Sequence, residues 1–308
     1  MGKIYFLSFC NVRDGASLDE RSSLLNSISN IKRLLSPYFD EVLIYDRESL
    51  KSLPNSSNFC NRLGRDLEVN PGISSIGYGD FKPFLIDYML NQTEDGSIIF
   101  YHDCNFSKYP QYWQTKWGEV RETCEYLLEM CGSDFFSPFE ANLLDGNPPL
   151  VGMHGKRYTS EKIFDNPDDG EVVSECYEIA SSRMIVRNTE KSREFFAEYK
   201  DLCEDKSLLM EEPDPSPYHM FTHLCPEQHV YNCLIYKYIL DGKLNVGFPI
   251  YYFTDRRLIL GMYEKYRINH KLWKYMEGRV IKRKEPKEIG DDQDIRRTQE
   301  FREDIFST

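Results

Sequence analysis

The sequence predicts an α/β fold with a mixed, mainly parallel sheet flanked by helices. Short apolar runs of strand length recur early in the chain, at residues 3–10, 41–45 and 98–101. Between the first two, Leu24, Leu25, Ile28, Ile31, Leu34 and Leu35 fall at helical spacing over residues 19–35. Strand, helix and strand in that order begin a parallel βαβ unit.

Residues 3–10 read as a first buried strand, and 41–45 as a second, with Val42, Leu43 and Ile44 in a row. Residues 55–76 are polar and rich in Gly, Ser and Asn, the composition of a long loop or lid. A helix follows over 83–90, with Pro83 in the first turn, where its missing N–H goes unused. Residues 98–101 form the third strand, and 117–131 an amphipathic helix. Short strands are expected at 150–153 and 184–186. A helix over 189–203 is opened by Thr189, with Phe195, Phe196, Tyr199 and Leu202 as its apolar face. A loop with three prolines spans 210–218, and a last helix spans 226–240. One domain is expected over residues 1–278. The highly charged segment 279–308 reads as an exposed terminal helix or tail.

A chain of 308 residues is ample for a core. Its formal charge of −12 argues against a general nucleic-acid binder, which should be basic. No apolar stretch reaches the roughly 20 residues that span a bilayer, so no integral membrane segment is expected. The apolar run at the N-terminus is too short for a signal-peptide core, and a cytoplasmic protein is expected. The nine cysteines are scattered without a C-x-x-C pair, which suits reduced, buried thiols rather than a zinc site.

The run Ile98-Ile-Phe-Tyr101 stops at His102 and Asp103, with Asn105 two residues on. A strand ending in a carboxylate delivers charge to the rim of the sheet, where open α/β folds bind nucleotides. Mg²⁺ or Mn²⁺ prefers such oxygen ligands, shared with a diphosphate. An ordinary Asx turn is the alternative. Gly77-Tyr-Gly-Asp-Phe-Lys-Pro83 precedes a helix. Gly77 and Gly79 allow close backbone approach, and Lys82 at a helix start suits a phosphate; a plain glycine turn with a solvated lysine is the alternative. His102 and His154 each follow an apolar run and are candidate metal ligands or hydrogen-bonded structural histidines. Lys156, beside Arg157, is a candidate phosphate contact or part of a solvated turn. In His223-Leu-Cys-Pro-Glu-Gln228, Pro226 places Glu227 and Gln228 in a first helical turn. Glu227 there is a candidate base or substrate clamp, or a carboxylate that complements the helix dipole.

Taken in order, these segments resemble a GT-A-fold glycosyltransferase family of bacterial surface-polysaccharide synthesis and large DNA viruses. The matching phrases are the first strand, Arg21 on the following helix, Phe39-Asp-Glu-Val-Leu-Ile-Tyr45, Gly77–Pro83, Tyr101-His-Asp103, Tyr158-Thr-Ser-Glu-Lys-Ile-Phe164 and His223–Gln228. Glu227-Gln-His-Val-Tyr-Asn232 is also similar to the acid-Gln-x-x-x-Asn of family 8 glycosyltransferases. The resemblance spans residues 3 to about 240. It implies a GT-A-like (Rossmann-like) fold and a hexosyl- or pentosyltransferase using a nucleotide-diphosphate sugar and a glycan acceptor. It implies Mn²⁺ or Mg²⁺ held by Asp103 with His102, Asn105 or His154. Lys82, Lys156, Arg21, Gln228, Gly77 and Gly79 would line the donor site, and Glu227 would serve as base or hold the acceptor. Three positions depart from the pattern. Asn105 stands where Asp-x-Asp has its second aspartate, Glu227 stands where many members have Asp, and His270-Lys-Leu-Trp-Lys274 lacks the glycine of a diphosphate clamp. A nucleotidyltransferase would carry a Gly-rich loop after strand one, but Asn11-Val-Arg-Asp-Gly15 has one glycine. A non-catalytic nucleotide- or sugar-binding protein of the same fold is the other alternative.

Overall fold

The structure, a computed structural model, describes residues 2–10, 17–54, 56, 81–103, 120–137, 151, 162–176, 178–205, 208–209 and 226–244. Five strands form one mixed sheet: β1 Ile4–Phe9, β2 Glu41–Tyr45, β3 Ile98–His102, β4 Phe135–Phe136 and β5 Arg183–Arg187. Their order is β2-β1-β3-β5-β4. β1 is parallel to both β2 and β3, with Tyr5 level with Glu41 and Ile99. β5 runs antiparallel to β3 and to β4. The α/β class and the mixed sheet are as the sequence predicts, and the parallel part is β2-β1-β3.

Among the described residues, seven helices accompany the sheet: α1 Leu18–Leu35, α2 Arg47–Lys51, α3 Phe81–Gln92, α4 Val120–Cys131, α5 Pro167–Ser174, α6 Glu190–Glu204 and α7 Pro226–Leu240. Alternation along the strands sorts the core into two layers. Ile4, Phe6, Ile98, Phe100, Phe136 and Ile185 face Ile31 and Leu35 of α1 and Cys124, Leu127 and Leu128 of α4. The Phe6, Phe39 and Phe100 rings meet here at 5.4–6.1 Å. Against the other face, α3 lies on β1 and β3, and α6 packs on α3 and α7.

Capping explains where the helices begin. Ser17 and Glu20 make a reciprocal capping box at α1, and Thr189 makes one with Ser192 at α6. The Ser-x-x-Glu spacing moves the start of α1 one residue ahead of the apolar pattern. Leu25 and Leu34, expected on the apolar face of α1, are 58% and 39% exposed. Six apolar positions cover more of the helix surface than the sheet can bury, and Ile31 and Leu35 take the central places.

α2, β4 and α5 were not predicted, because such short elements carry little periodicity. Val151, the one described residue of the expected strand 150–153, is helical, since a short apolar run fits either state. The expected loop 55–76 apart from Ser56, the loop 210–218 and the tail 279–308 lie outside the described residues. The chain divides into units Met1–Ile268 and Asn269–Thr308. The second unit, with the expected boundary at 278, lies outside the described residues. No described helix is long and apolar enough to cross a membrane. Cys10, Cys124, Cys176, Cys203 and Cys233 are free and buried, as expected for reduced core thiols.

Gly2 pins the start of β1 against the turn that leads into β3. A Cβ there would lie 2.5 Å from the backbone carbon of Gly96 and the nitrogen of Ser97. Gly2→Ala is expected to destabilise the fold by roughly 1–3 kcal/mol, as overpacking does, measured by urea unfolding. Unchanged stability would show that the turn yields freely.

Candidate functional site

The chain passes from β1 to β2, then back across β1 to β3, so the carboxyl ends of β1 and β3 flank a switch point. Crevices at such points are where open α/β sheets take ligands. Three elements bring polar groups there. Phe81, opening α3, stacks on Phe9 at the end of β1 with ring centroids 4.2 Å apart. That contact holds the N-terminal turn of α3 over the sheet edge, and Lys82 follows it. Asp103 is the first residue past β3, and its N–H donates to Ser182 O at 2.8 Å, extending the ladder by one residue. Glu227 lies in the first turn of α7.

The Lys82 ammonium joins them. Its Nζ donates to Glu227 Oε2 at 3.0 Å and to Ser181 Oγ at 3.1 Å. It lies 3.5 Å from Asp103 Oδ2. The phenol of Tyr101 donates to Asp103 Oδ1 at 2.5 Å. Residues i and i+2 of an extended segment share a face, so Tyr101 and Asp103 point the same way. The other oxygen of Glu227, Oε1, accepts from Tyr199 of α6. Behind Tyr199, Tyr231 packs at 5.2 Å and hydrogen-bonds Ser137 at 2.5 Å.

Burial pushes the Glu227 carboxyl above the usual carboxylate range, while the Lys82 ammonium pulls it back. Burial and the neighbouring Glu227 push the Tyr199 phenol well up. One ammonium faces two carboxylates, and the N-termini of α3 and α7 add partial positive charge at the same edge.

The position of α7 is set by two amides on one of its faces. Asn232 Oδ1 accepts from Ile179 N at 2.6 Å, and its Nδ2 donates to Ile179 O at 2.9 Å and to Gln228 O at 2.7 Å. Gln228 Oε1 accepts from Ser181 N at 3.3 Å and lies 3.2 Å from Ser181 Oγ. The two side chains stand in for a neighbouring strand along residues 179–181. Asn232→Ala leaves a buried backbone donor and acceptor unpaired. It is expected to cost about 2–4 kcal/mol in chemical denaturation. A loss well below 1 kcal/mol would show that the latch does not hold α7.

The structure thus brings Lys82, Asp103, Glu227 and Gln228 together, from segments up to 146 residues apart in sequence. Gln228 serves as a brace of α7. His102 is adjacent to Asp103 in extended chain and so is directed to the opposite side of the sheet. Its Nδ1 lies 2.8 Å from Asp103 O. Burial, with Arg183 nearby, lowers its pKa to about 4, which keeps the ring neutral. Arg21 is exposed in the first turn of α1, in the layer on the other face. Gly77, Gly79, Asn105, His154 and Lys156 lie outside the described residues. Tyr101, Ser181 and Tyr199 were missed as site residues. In sequence the two tyrosines read as parts of apolar runs, and nothing local marks Ser181.

Among the described residues, the divalent cation implied by the resemblance would have to be held by these groups. Asp103 offers one carboxylate, 38% exposed, whose oxygens keep lone pairs beyond the contacts with Tyr101 and Lys82. That suits a hydrated ion shared with ligand phosphates rather than one caged by protein. Among the described residues, no group of three or more His, Cys, Asp or Glu could hold a metal. Comparisons with protein-family models, with curated proteins and with solved structures find no match.

Proposed function

We propose that the protein is a glycosyltransferase that moves a sugar from a nucleotide-diphosphate sugar to a hydroxyl of a glycan acceptor. The observation that carries this reading is the half-exposed Asp103 at the β1/β3 switch point, braced by Lys82 from α3 and Tyr101 from β3. The ordered resemblance of the sequence segments adds the reaction class. In sugar transfer a nucleoside diphosphate departs from an anomeric carbon that becomes cation-like. The site must therefore hold an anionic leaving group and favour a developing positive centre. Mn²⁺ or Mg²⁺, when bound, would neutralise the diphosphate as a Lewis acid, and Asp103 would hold it. Lys82 keeps Asp103 oriented, and the aromatic packing behind Tyr199 keeps water from the buried side of the centre.

The test is a screen of nucleotide sugars for hydrolysis by the purified protein, with Mn²⁺ or with EDTA. Release of a nucleoside diphosphate from one donor is the expected result. Failure with every donor, while one of them still binds in calorimetry, would favour a non-catalytic nucleotide- or sugar-binding protein of the same fold. The enclosure of Glu227, with hydrogen bonds to both its oxygens, is what keeps that second reading in play.

A further inference from the structure

Of the two carboxylates in this centre, only one is open to a ligand. Glu227 is 2% exposed, with Oε1 taken by Tyr199 and Oε2 by Lys82 and Ser181. Asp103 is 38% exposed. A general base must come within about 2.6–3.2 Å of the proton it removes. To do so, Glu227 would have to leave Lys82 and carry a charge through a desolvated wall. What it does in place is hold the end of a flexible four-carbon stem. A lysine ammonium has no fixed orientation of its own. Here Glu227, itself fixed on the latched helix α7, sets it.

We propose that Glu227 is a positioning residue. With Tyr199 and Ser181 it fixes the Lys82 ammonium against Asp103, and Asp103 is the carboxylate of this centre that meets the ligand. For the chemistry of that ligand the proposal rests on the transferase reading above. Lys82 at Oδ2 and Tyr101 at Oδ1 hold the Asp103 carboxylate from both sides, so its remaining lone pairs face a set direction. Loss of Glu227 would act on the ligand through Lys82 and then Asp103, not directly.

Two measurements test this on the full chain. The first is labelling of the native protein with a carbodiimide and glycinamide, read by mass spectrometry. Asp103 is expected to be modified while Glu227 stays protected until the protein unfolds. Labelling of Glu227 as fast as Asp103 would overturn the proposal. The second is a double-mutant cycle of Lys82→Met and Glu227→Gln, following hydrolysis of the donor found by screening, across pH. Each single change is expected to lower kcat/KM by about tenfold or more, and the double variant to be no worse than Lys82→Met alone. The pH profile of Glu227→Gln should keep the shape of the wild type, with Tyr199→Phe giving a smaller loss of the same kind. A further loss of about 10²-fold from Glu227→Gln in the Lys82→Met background, with a limb of the profile gone, would restore Glu227 as a base. If no nucleotide sugar is turned over, the transferase reading fails, and the labelling still decides which carboxylate is presented.

Discussion

Replacing Asp103 with alanine is expected to abolish sugar transfer while the fold stands. The side chain is 38% exposed and follows the last residue of β3, so no core packing depends on it. Its backbone N–H, which extends the ladder to Ser182, is kept in any variant. The contact with Lys82 at 3.5 Å is long and its Asp103 end is 38% exposed, so its loss should cost roughly 1 kcal/mol, and the buried Tyr101 phenol, which loses an acceptor, adds about as much. Function is another matter, because Asp103 is the carboxylate the described centre presents. A loss of ~10²-fold or more is expected in donor hydrolysis, in line with removing one oriented charge from a catalytic centre. Asp103→Asn keeps the shape and the Tyr101 hydrogen bond but drops the charge, and it should lose nearly as much. The check pairs donor hydrolysis with thermal melting on each variant. Full activity in Asp103→Ala would sink both the site and the function proposed for it.

Lys82→Met is expected to have the largest effect on stability, about 3–5 kcal/mol at neutral pH. It leaves Glu227 enclosed at 2% exposure without its ammonium partner. Adding Glu227→Gln should recover much of the loss, since an uncharged amide tolerates burial. The effect should also depend on pH, with a definite sign. The Glu227 carboxyl is already raised by burial, against the pull of Lys82. Removing Lys82 raises it further. A carboxyl that holds its proton more tightly folded than unfolded contributes stability that is full below its unfolded pKa. That stability is lost as pH rises towards and through the folded value. The deficit of Lys82→Met relative to wild type should therefore be larger at pH 7.5 than at pH 5 in urea unfolding. A deficit that shrinks as pH rises would mean that Glu227 does not carry the charge balance of this centre.

The strands and long helices were legible because their signals are local. Ile4, Phe6, Ile98 and Phe100 alternate with Tyr5, Leu7, Ile99 and Tyr101, and that period puts each set on its own face. Thr189 opens α6 through a cap that involves only its next three residues. Errors arose where local signals are degenerate. Leu25 and Leu34 fit the helical pattern of α1 as well as Ile31 and Leu35 do, yet the sheet covers only the latter pair. Val151 sits in an apolar run that serves equally as strand or helix.

At the site, the sequence by itself singled out Asp103 at a strand end and Lys82 and Glu227 at helix starts, each from its own neighbourhood. Strand ends and helix N-termini are where backbone direction exposes polar groups, so residue type and position sufficed to nominate them. Their partnership was decided only by tertiary structure. Lys82 and Glu227 are 145 residues apart, and a 3.0 Å contact between them depends on how α3 and α7 pack on α6. The roles of Tyr199, Ser181 and Asn232 depend on the same packing. A tyrosine on an apolar helix face becomes a hydrogen-bond donor only when a buried carboxylate is brought against it. Burial is likewise a property of the packed chain. It is burial that separates the enclosed Glu227 from the half-exposed Asp103, two carboxylates that differ in sequence by one methylene.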